Sequence, residues 1–250
     1  MTSADFHVRL AETEADLRAA QRLRYEVFVQ ELGGAGALVD HTERLERDAL
    51  DPYFDHLLLI DRAVDEVVGV YRLMRPEQAA EAGQYYTASE YDLTPLLTSG
   101  RRILELGRSC LRQAYRGGLG MHALWSALRT YVETHQIDVL FGVASFHGTQ
   151  AEALAQPLSF LHHRHLVSED LRVRALETSF QAMNLLSEPQ IDRKAAMLQM
   201  PSLIKAYLRA GGKVGEGAFI DHAFNTTDVC LIMETKNLPD RQARIYGGAG

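Results

Sequence analysis

An acid, a base and a glycine-rich turn lie close together in one stretch of this sequence. Glu105 and Arg108 belong to an apolar segment that is typical of a buried strand. A glycine-rich turn follows at residues 115–120, and a helix is predicted to begin just after it. This order places the N–H groups of a helix N-terminus beside a carboxylate, which suits chemistry on an acyl thioester or a phosphate-bearing carrier. The alternative is a strand–turn–helix unit whose charges only face solvent.

Basic residues are clustered although the chain as a whole is acidic, with a net charge of −7. A local basic patch on an acidic protein fits a specific acidic partner, and the lack of a global positive field speaks against nucleic acid. Charges scattered without any partner are the alternative. The two clusters consist of Arg101, Arg102, Arg108, Arg112 and Arg116, and of His162, His163, Arg164 and His165.

The composition is that of an ordinary globular protein. The 250 residues suffice for one large domain or two small ones, and 46% of them are hydrophobic. Cys110 and Cys230 lie in apolar runs, which predicts buried, reduced thiols. No zinc-site spacing is present, so no bound metal is expected. The sequence has neither a signal peptide nor an apolar run of about 20 residues, which predicts a cytoplasmic protein that can still touch a membrane surface.

The hydrophobic pattern predicts a mixed sheet with helices on its faces. An antiparallel hairpin precedes a part in which strands and helices alternate. Residues 150–200 are rich in His, Arg, Leu and Met, and we expect them to form an amphipathic helical insert. The predicted strands are 6–10, 56–61, 67–74, 102–111, 139–146, 214–220 and 229–235, and the other helices run from Thr13 or Asp16 to about Leu32, over 119–135 and over 202–210.

Several blocks of the sequence resemble one family in the same order along the chain. The blocks are RYEVFVQELG (24–33), ELGRSCL (105–111), FGVASFHGT (141–149), LSFLHHRHL (158–166) and the long block at 201–233. They are similar to the GCN5-related N-acyltransferase fold and, within it, to the L-ornithine N-alpha-acyltransferases of bacterial ornithine lipid biosynthesis. The resemblance implies an α/β (α+β) fold with a central mixed, mostly antiparallel sheet flanked by helices. It also implies a single acyltransferase domain over 1–250, with the helical insert around 150–200.

A weaker resemblance connects the chain with the acyl-homoserine-lactone synthases. It rests on Arg24 and Phe28 in one helix, on Arg72 in a strand, and on Glu105 with Arg108 in another. Both resemblances imply that the donor is an acyl group on acyl carrier protein, with acyl-ACP as a co-substrate and no bound cofactor.

The implied reaction moves a 3-hydroxyacyl chain from acyl carrier protein to the α-amine of L-ornithine, giving lyso-ornithine lipid. An acyl-homoserine-lactone or N-acyl amino acid synthase, or a glutamine or lysine lipid synthase, remains an alternative. A non-catalytic module that binds acyl carrier protein is the alternative outside enzymes.

The glycine turn departs from the coenzyme A loop of this fold, Gln/Arg-x-x-Gly-x-Gly/Ala. Counting from Arg116, Leu119 and Met121 stand where that pattern has small residues. A carrier-borne phosphopantetheine has one phosphate and no ADP pyrophosphate to hold. The departure therefore favours a carrier-protein donor.

Glu105 is the candidate general base. An amine attacks a thioester only when unprotonated, so a base must lie within hydrogen-bond reach or one water away. The apolar strand around Glu105 favours a raised carboxylate pKa. An ion pair with Arg108 is the alternative, although the two residues point to opposite faces of a regular strand unless a bulge intervenes. The fold implies such a bulge, with the N–H groups of Leu106 and Gly107 polarising the thioester carbonyl.

The other candidate residues bind the two substrates. Arg24 and Arg72 are candidates for binding an anion, and Asp48, with Asp51 or Asp55, for binding a second ammonium group on the acceptor. The alternatives are solvated surface arginines and a charged loop. Phe28, Ser145 and Phe146 are candidates for the acyl or pantetheine channel. Tyr207 is the candidate for the acid that protonates the departing thiolate, and core packing is the alternative for these aromatic residues. The candidates for carrier binding are Arg108, Arg112, Arg116, Gly118 and Gly120.

Overall fold

The computed structural model describes residues 5–36, 38–116 and 118–237, and the chain divides into two compact units. The first unit comprises the chain up to Tyr86 together with Leu104–Gln136. The second unit comprises Thr87–Ile103 together with the chain from Ile137 onward. A single acyltransferase domain over 1–250 stays a prediction.

The sheet of the first unit contains four antiparallel neighbours. They follow one another as β1 (Phe6–Leu10), β2 (Asp55–Asp61), β3 (Glu66–Met74) and β4 (Ile103–Leu111). The predicted hairpin is confirmed as β2 and β3, and the predicted bounds of these strands hold to within one residue.

The first helix of this unit changes its hydrogen-bond pattern halfway. α1 (Glu14–Arg24) begins at Thr13, whose Oγ accepts a bond from the Asp16 N–H at 3.1 Å, and the Asp16 carboxylate accepts one from the Thr13 N–H at 3.2 Å. The chain then continues as a π-helix over Tyr25–Glu31. The sequence predicted one helix to about Leu32. The pattern of apolar residues does not reveal that the π-helix has more residues per turn than an α-helix. Short π-helical segments within α-helices are frequent at functional sites.

The π-helix and α1 close the core above the sheet. Ala20, Leu23 and Val27 are buried against Leu58 and Val70, and Phe28 packs at the edge of this cluster. These residues form the core face of the helix.

The helix after the glycine turn packs against β1, β2 and β3. α2 (Pro76–Ala82) precedes it, and α3 (Leu119–Thr134) matches the predicted helix to within one residue. Leu124, Leu128 and Tyr131 form its buried face. A Cβ on Gly120 would lie 3.1 Å from Leu59 Cδ2, so the missing side chain lets the first turn of α3 approach the sheet closely.

The second unit has its own antiparallel strands. β7 (Thr226–Glu234) lies between β5 (Val139–His147) and β6 (Ala218–Asp221), and it pairs with β5 over nine residues. Short strands at Phe180–Gln181 and Lys213–Val214 pair with β6 and β7. Both cysteines of the chain are buried and free, which confirms their prediction.

Residues 150–200 are helical only towards their two ends, so the predicted helical insert is partly wrong. α4 (Ala155–His165) and α5 (Arg193–Gln199) are helices, whereas the chain between them forms 3₁₀ turns and short strands. Leu171, Val173 and Ala175 are buried at every second position. That period of two belongs to extended chain and competes with a helix.

The last helix of the second unit matches its prediction. α6 (Ser202–Arg209) follows Pro201, and Gly211 after it has φ +88°. Among the described residues, no helix is both long and apolar enough to cross a membrane.

Candidate active site

Glu105 lies inside the first unit with its carboxylate held by the backbone. The residue is 1% exposed, and its Oε2 accepts a hydrogen bond from the Tyr86 N–H at 2.9 Å. Leu104 and Leu106 on either side are buried as well. The candidate base therefore has a fixed direction in an apolar strand.

A β-bulge interrupts β4 just after Glu105 and Leu106. Arg72 of β3 pairs with Gly107, but Val70 pairs with Cys110, so Arg108 and Ser109 together face a single residue of β3. Arg108 has φ +50°, a conformation that costs a non-glycine residue about 1–2 kcal/mol. The predicted bulge is confirmed, and it re-aims the Arg108 side chain.

Three arginines and three carboxylates form a buried charge network beside the bulge. The Nη1 atoms of Arg24 and Arg72 lie 2.6 Å and 2.8 Å from Asp51 Oδ1, and both arginine side chains are fully buried. Arg72 also pairs with Asp48 at 3.1 Å. The network consists of Arg24, Glu46, Asp48, Asp51, Arg72 and Arg108, and Glu46 pairs with both Arg24 and Arg108. Equal numbers of opposite charges, each with several partners, compensate the cost of desolvation.

The arginines keep two of the buried carboxylates, Asp48 and Asp51, ionised. Burial opposes ionisation of Asp51, but Arg24 and Arg72 outweigh it and hold the pKa of Asp51 well below its usual range. Burial likewise opposes ionisation of Asp48, whose pKa is lowered by Arg72 and Arg108. The alternative that Arg24 and Arg72 are solvated surface residues is excluded by their burial.

Tyr86 connects the charge network with Glu105. Its ring lies 4.7 Å from the Arg108 guanidinium carbon and 5.6 Å from that of Arg72, measured to the ring centroid. Phe54 flanks Arg72 at 4.1 Å in the same way. Tyr86 was not predicted as a site residue, because a backbone N–H that holds a carboxylate leaves no trace in the side-chain pattern.

An acid-lined cleft of about 770 Å³ opens beside the network. Asp48 and Asp51 line it together with Asp40, which is paired with Arg47. Asp55, the sequence alternative to Asp51, does not line the cleft and instead accepts a bond from the Tyr131 hydroxyl. Of the predicted carboxylates, the structure therefore brings Asp48 and Asp51 together.

The N-terminus of α3 carries no acidic residue in its first turn and no side-chain cap. Gly118 stands at the cap with open space around its Cα, and Gly117 lies outside the described residues. Arg116 pairs with Glu31 at 2.6 Å, and Arg112 pairs with Glu26 at 3.2 Å and also with Glu66. Uncapped N–H groups of this kind favour an anion.

Three predicted residues belong to the second unit. Tyr207 on α6 is 5% exposed, and burial raises its pKa. Phe146 is buried and Ser145 is exposed on β5. Their roles stay predictions. The carboxylates of Glu90, Asp221 and Asp228 also meet in this unit, within 4.8 Å of one another.

Two relatives that are similar to this chain over nearly its full length share one name. A Rhodobacter capsulatus protein named L-ornithine N(alpha)-acyltransferase is 56% identical over 246 residues, which cover 96% of this chain and 94% of that protein. The Brucella abortus protein of the same name is 44% identical over 96% of this chain and 88% of its own length. The chain belongs to the L-ornithine N(alpha)-acyltransferase family. It is therefore an acyltransferase.

The fold agrees with this membership. The Acetyltransferase (GNAT) domain family matches residues 23–126. The crystal structure of BjaI, a coenzyme A-dependent acyl-homoserine lactone synthase, superimposes with a TM-score of 0.52 at 14% identity over 94% of this chain and 86% of that one. The predicted GCN5-related N-acyltransferase fold is confirmed.

For this member of the L-ornithine N(alpha)-acyltransferase family, the first unit holds most of the predicted site. Glu105, the bulge and the charge network lie on α1, β3, β4 and the loop before β2. Arg24 and Arg72 are fully buried beside the carboxylates and do not reach solvent. Their direct contact with a substrate stays a prediction, as do the roles of Leu106, Gly107 and Phe28.

Proposed function

We propose that this protein transfers a 3-hydroxyacyl chain from acyl carrier protein to the α-amine of L-ornithine, producing lyso-ornithine lipid. The observation that carries the proposal is the 56% identity, over 96% of the chain, with the Rhodobacter capsulatus L-ornithine N(alpha)-acyltransferase. The buried, oriented carboxylate of Glu105 is a suitable general base for that reaction.

The reaction begins with a proton transfer from the α-ammonium to Glu105, directly or through one water. The neutral amine then attacks the thioester carbonyl carbon and forms a C–N bond. The oxyanion that develops needs N–H donors, for which Leu106 and Gly107 beside the bulge are our candidates. The attacking nitrogen loses its second proton to water, and collapse then breaks the C–S bond to give the amide. The phosphopantetheine thiolate takes a proton, for which Tyr207 is the candidate donor, and water returns a proton to that donor.

The acceptor is expected in the acid-lined cleft. Ornithine has a second ammonium group, and Asp48 and Asp51 are ionised carboxylates at the wall of the cleft. Arg24 and Arg72 already bind these carboxylates, so in our proposal they fix the acids in place. Asp48 has the more exposed side chain of the two, 9% against 2%, and is the better candidate for direct contact.

Acyl carrier protein is the proposed donor because the turn before α3 lacks the coenzyme A pattern. The uncapped N-terminus of α3 suits the single phosphate of phosphopantetheine. BjaI is described by its name as coenzyme A-dependent, so a protein of the same fold can also use acyl-coenzyme A as its donor. A carrier-protein donor also places the reaction in the cytoplasm.

A direct assay tests the proposal. Purified full-length protein is incubated with L-ornithine and either 3-hydroxyacyl carrier protein or the matched 3-hydroxyacyl coenzyme A, and the amide is detected by mass spectrometry. We expect product from the carrier-protein donor and much less from coenzyme A. L-Lysine and L-glutamine serve as matched acceptors. Preferred acylation of either one contradicts the ornithine assignment, and equal use of the two donors contradicts the carrier assignment.

A further inference from the structure

All charged residues in one stretch of the second unit are lysines or arginines. Residues 193–215 contain five lysines and arginines and no aspartate or glutamate, in a chain with a net charge of −7. The chain has four lysines in total, and three of them lie here. The five residues are Arg193, Lys194, Lys205, Arg209 and Lys213, and together with Leu198 they are called the cationic face below.

Within the described part of the chain, none of the five forms an ion pair, whereas the neighbouring Arg164 pairs with Glu188 at 2.7 Å. Asp192, the acid just before the stretch, turns its carboxylate to the backbone N–H groups of Lys194 and Ala195. Arg193, Lys194, Arg209 and Lys213 are exposed. Their charge is therefore available to an external partner.

The cations come together from separate elements. α4 packs against α5, which begins at Arg193, and against the short strand that begins at Lys213. The Val167 N–H just after α4 donates to the Val214 carbonyl at 2.9 Å, and α6 ends at Arg209, four residues before Lys213. After burial, the charges of Lys213 and Arg193 also lower the pKa of His165 at the end of α4. On α5, Lys194 and Leu198 stand one turn apart on one face, and on α6 so do Lys205 and Arg209.

Leu198 gives the cationic face an apolar contact. It is 73% exposed, more than any other large hydrophobic side chain of the described residues. It projects from the seven-residue helix α5 between Lys194 and Lys205 in the sequence. An apolar side chain flanked by lysines is the pattern of a segment that lies in the interface of an anionic bilayer.

We propose that the cationic face docks the protein on an anionic lipid bilayer. Charge complementarity supports this occupant, because each basic residue near an anionic membrane surface adds to the attraction. Lysine is a point charge that needs no defined geometry in its partner, which suits lipid headgroups better than the paired carboxylates of a protein surface. A single-chain amphiphile, the product of the proposed function, would leave the enzyme directly into such a bilayer.

Vesicle binding by the full-length protein tests the proposal. Sedimentation with vesicles of phosphatidylglycerol and phosphatidylcholine in equal parts is compared with pure phosphatidylcholine. We expect binding to the anionic vesicles only, and the triple variant Lys194→Gln/Lys205→Gln/Arg209→Gln should bind about a hundredfold more weakly. Leu198→Gln, which keeps every charge, should weaken binding about tenfold.

A matched control removes three cations elsewhere. Arg18→Gln/Arg62→Gln/Arg129→Gln changes the net charge equally at exposed ion pairs and should bind vesicles like the unaltered protein. Thermal unfolding verifies that each variant is folded. Vesicle binding is measured without catalysis. Its result can therefore be interpreted even when the proposed function is wrong.

Three results overturn the proposal. The first is equal binding of both triple variants to the anionic vesicles, and the second is no binding by the unaltered protein. The third is normal vesicle binding by the Lys194→Gln/Lys205→Gln/Arg209→Gln variant together with a raised KM for acyl carrier protein. That third result assigns the cationic face to an acidic protein instead.

Discussion

At the scale of single residues, the Glu105 carboxylate depends on a backbone group for its orientation. The Tyr86 N–H donates to it, while the Tyr86 ring stacks on Arg108. A substitution of the Tyr86 side chain therefore leaves the bond to Glu105 in place and removes the stacking. The direction of the candidate base and the packing of the charge network can be tested separately at this position.

Glu105→Gln should lower kcat about 10²–10⁴-fold, because glutamine keeps the shape and the bond from Tyr86 but does not accept a proton from the ammonium. Steady-state kinetics at saturating donor and acceptor measure the effect, and a thermal melt near that of the unaltered protein verifies the fold. Glu133→Gln, at an exposed pair with Arg129, is the control and should leave kcat unchanged. A kcat near normal for Glu105→Gln would remove the base assignment.

Arg24→Met should reduce the free energy of unfolding by about 3–5 kcal/mol, because Glu46 and Asp51 each lose one of two arginine partners and the network keeps an uncompensated buried negative charge. Urea unfolding measures the change. Arg18→Met removes an exposed pair with Glu43 and should cost less than about 1 kcal/mol. Similar losses for the two variants would mean that the network does not depend on Arg24.

The sequence predicted which residue types matter, but not how deeply they lie. Arg24, Asp48 and Arg72 were expected at the site, and the structure joins them through Asp51. An arginine on an amphipathic helix has the same pattern whether it is solvated or buried with a carboxylate from a distant loop. The presence of a carboxylate partner decides whether such an arginine is buried. The sequence alone does not show which residues more than 20 positions apart form an ion pair.

At the scale of elements, regular patterns were predicted well and local changes of pattern were not. The hairpin of β2 and β3 and the helix α3 follow from their periodicity. The π-helix over Tyr25–Glu31 and the irregular chain between α4 and α5 do not. In both cases the backbone hydrogen bonds differ while the composition stays compatible with an α-helix.

Gly217→Ala should destabilise the second unit by about 1–3 kcal/mol more than Gly83→Ala destabilises the first. Both glycines have positive φ, so both substitutions carry the backbone penalty. A Cβ on Gly217 would lie 2.2 Å from a ring carbon of Phe180, whereas a Cβ on Gly83 would meet nothing within 4 Å. Urea unfolding of the two variants isolates the steric part, and equal losses would show that Phe180 moves aside freely.

At the scale of the whole molecule, stability should depend on pH in two windows. Burial lowers the pKa of His56, so the unfolded chain takes up a proton below about pH 6.5 that the folded protein resists. Asp48 and Asp51 have lowered pKa values in the folded protein. Their contribution is complete above about pH 4 and is lost as the pH falls through the folded values.

Urea unfolding across this range should therefore show a shallow loss of free energy below about pH 6.5 and a steep one below about pH 4. His56→Gln should remove part of the shallow loss and leave the steep one, because the lowered pKa values of His162 and His165 contribute to the same upper window. An unchanged pH profile in that variant would assign the upper window to other groups.

The division of the chain has a consequence for its synthesis on the ribosome. Each unit is assembled from two separate chain segments, so the polypeptide passes from one unit to the other three times, after Tyr86, Ile103 and Gln136. No single proteolytic cut yields either unit whole. The first unit is complete only when Gln136 has left the exit tunnel, before β5, β6 and β7 of the second have emerged from it. A nascent chain halted at that point should already hold Glu105 and the charge network, while the cationic face is still to be translated.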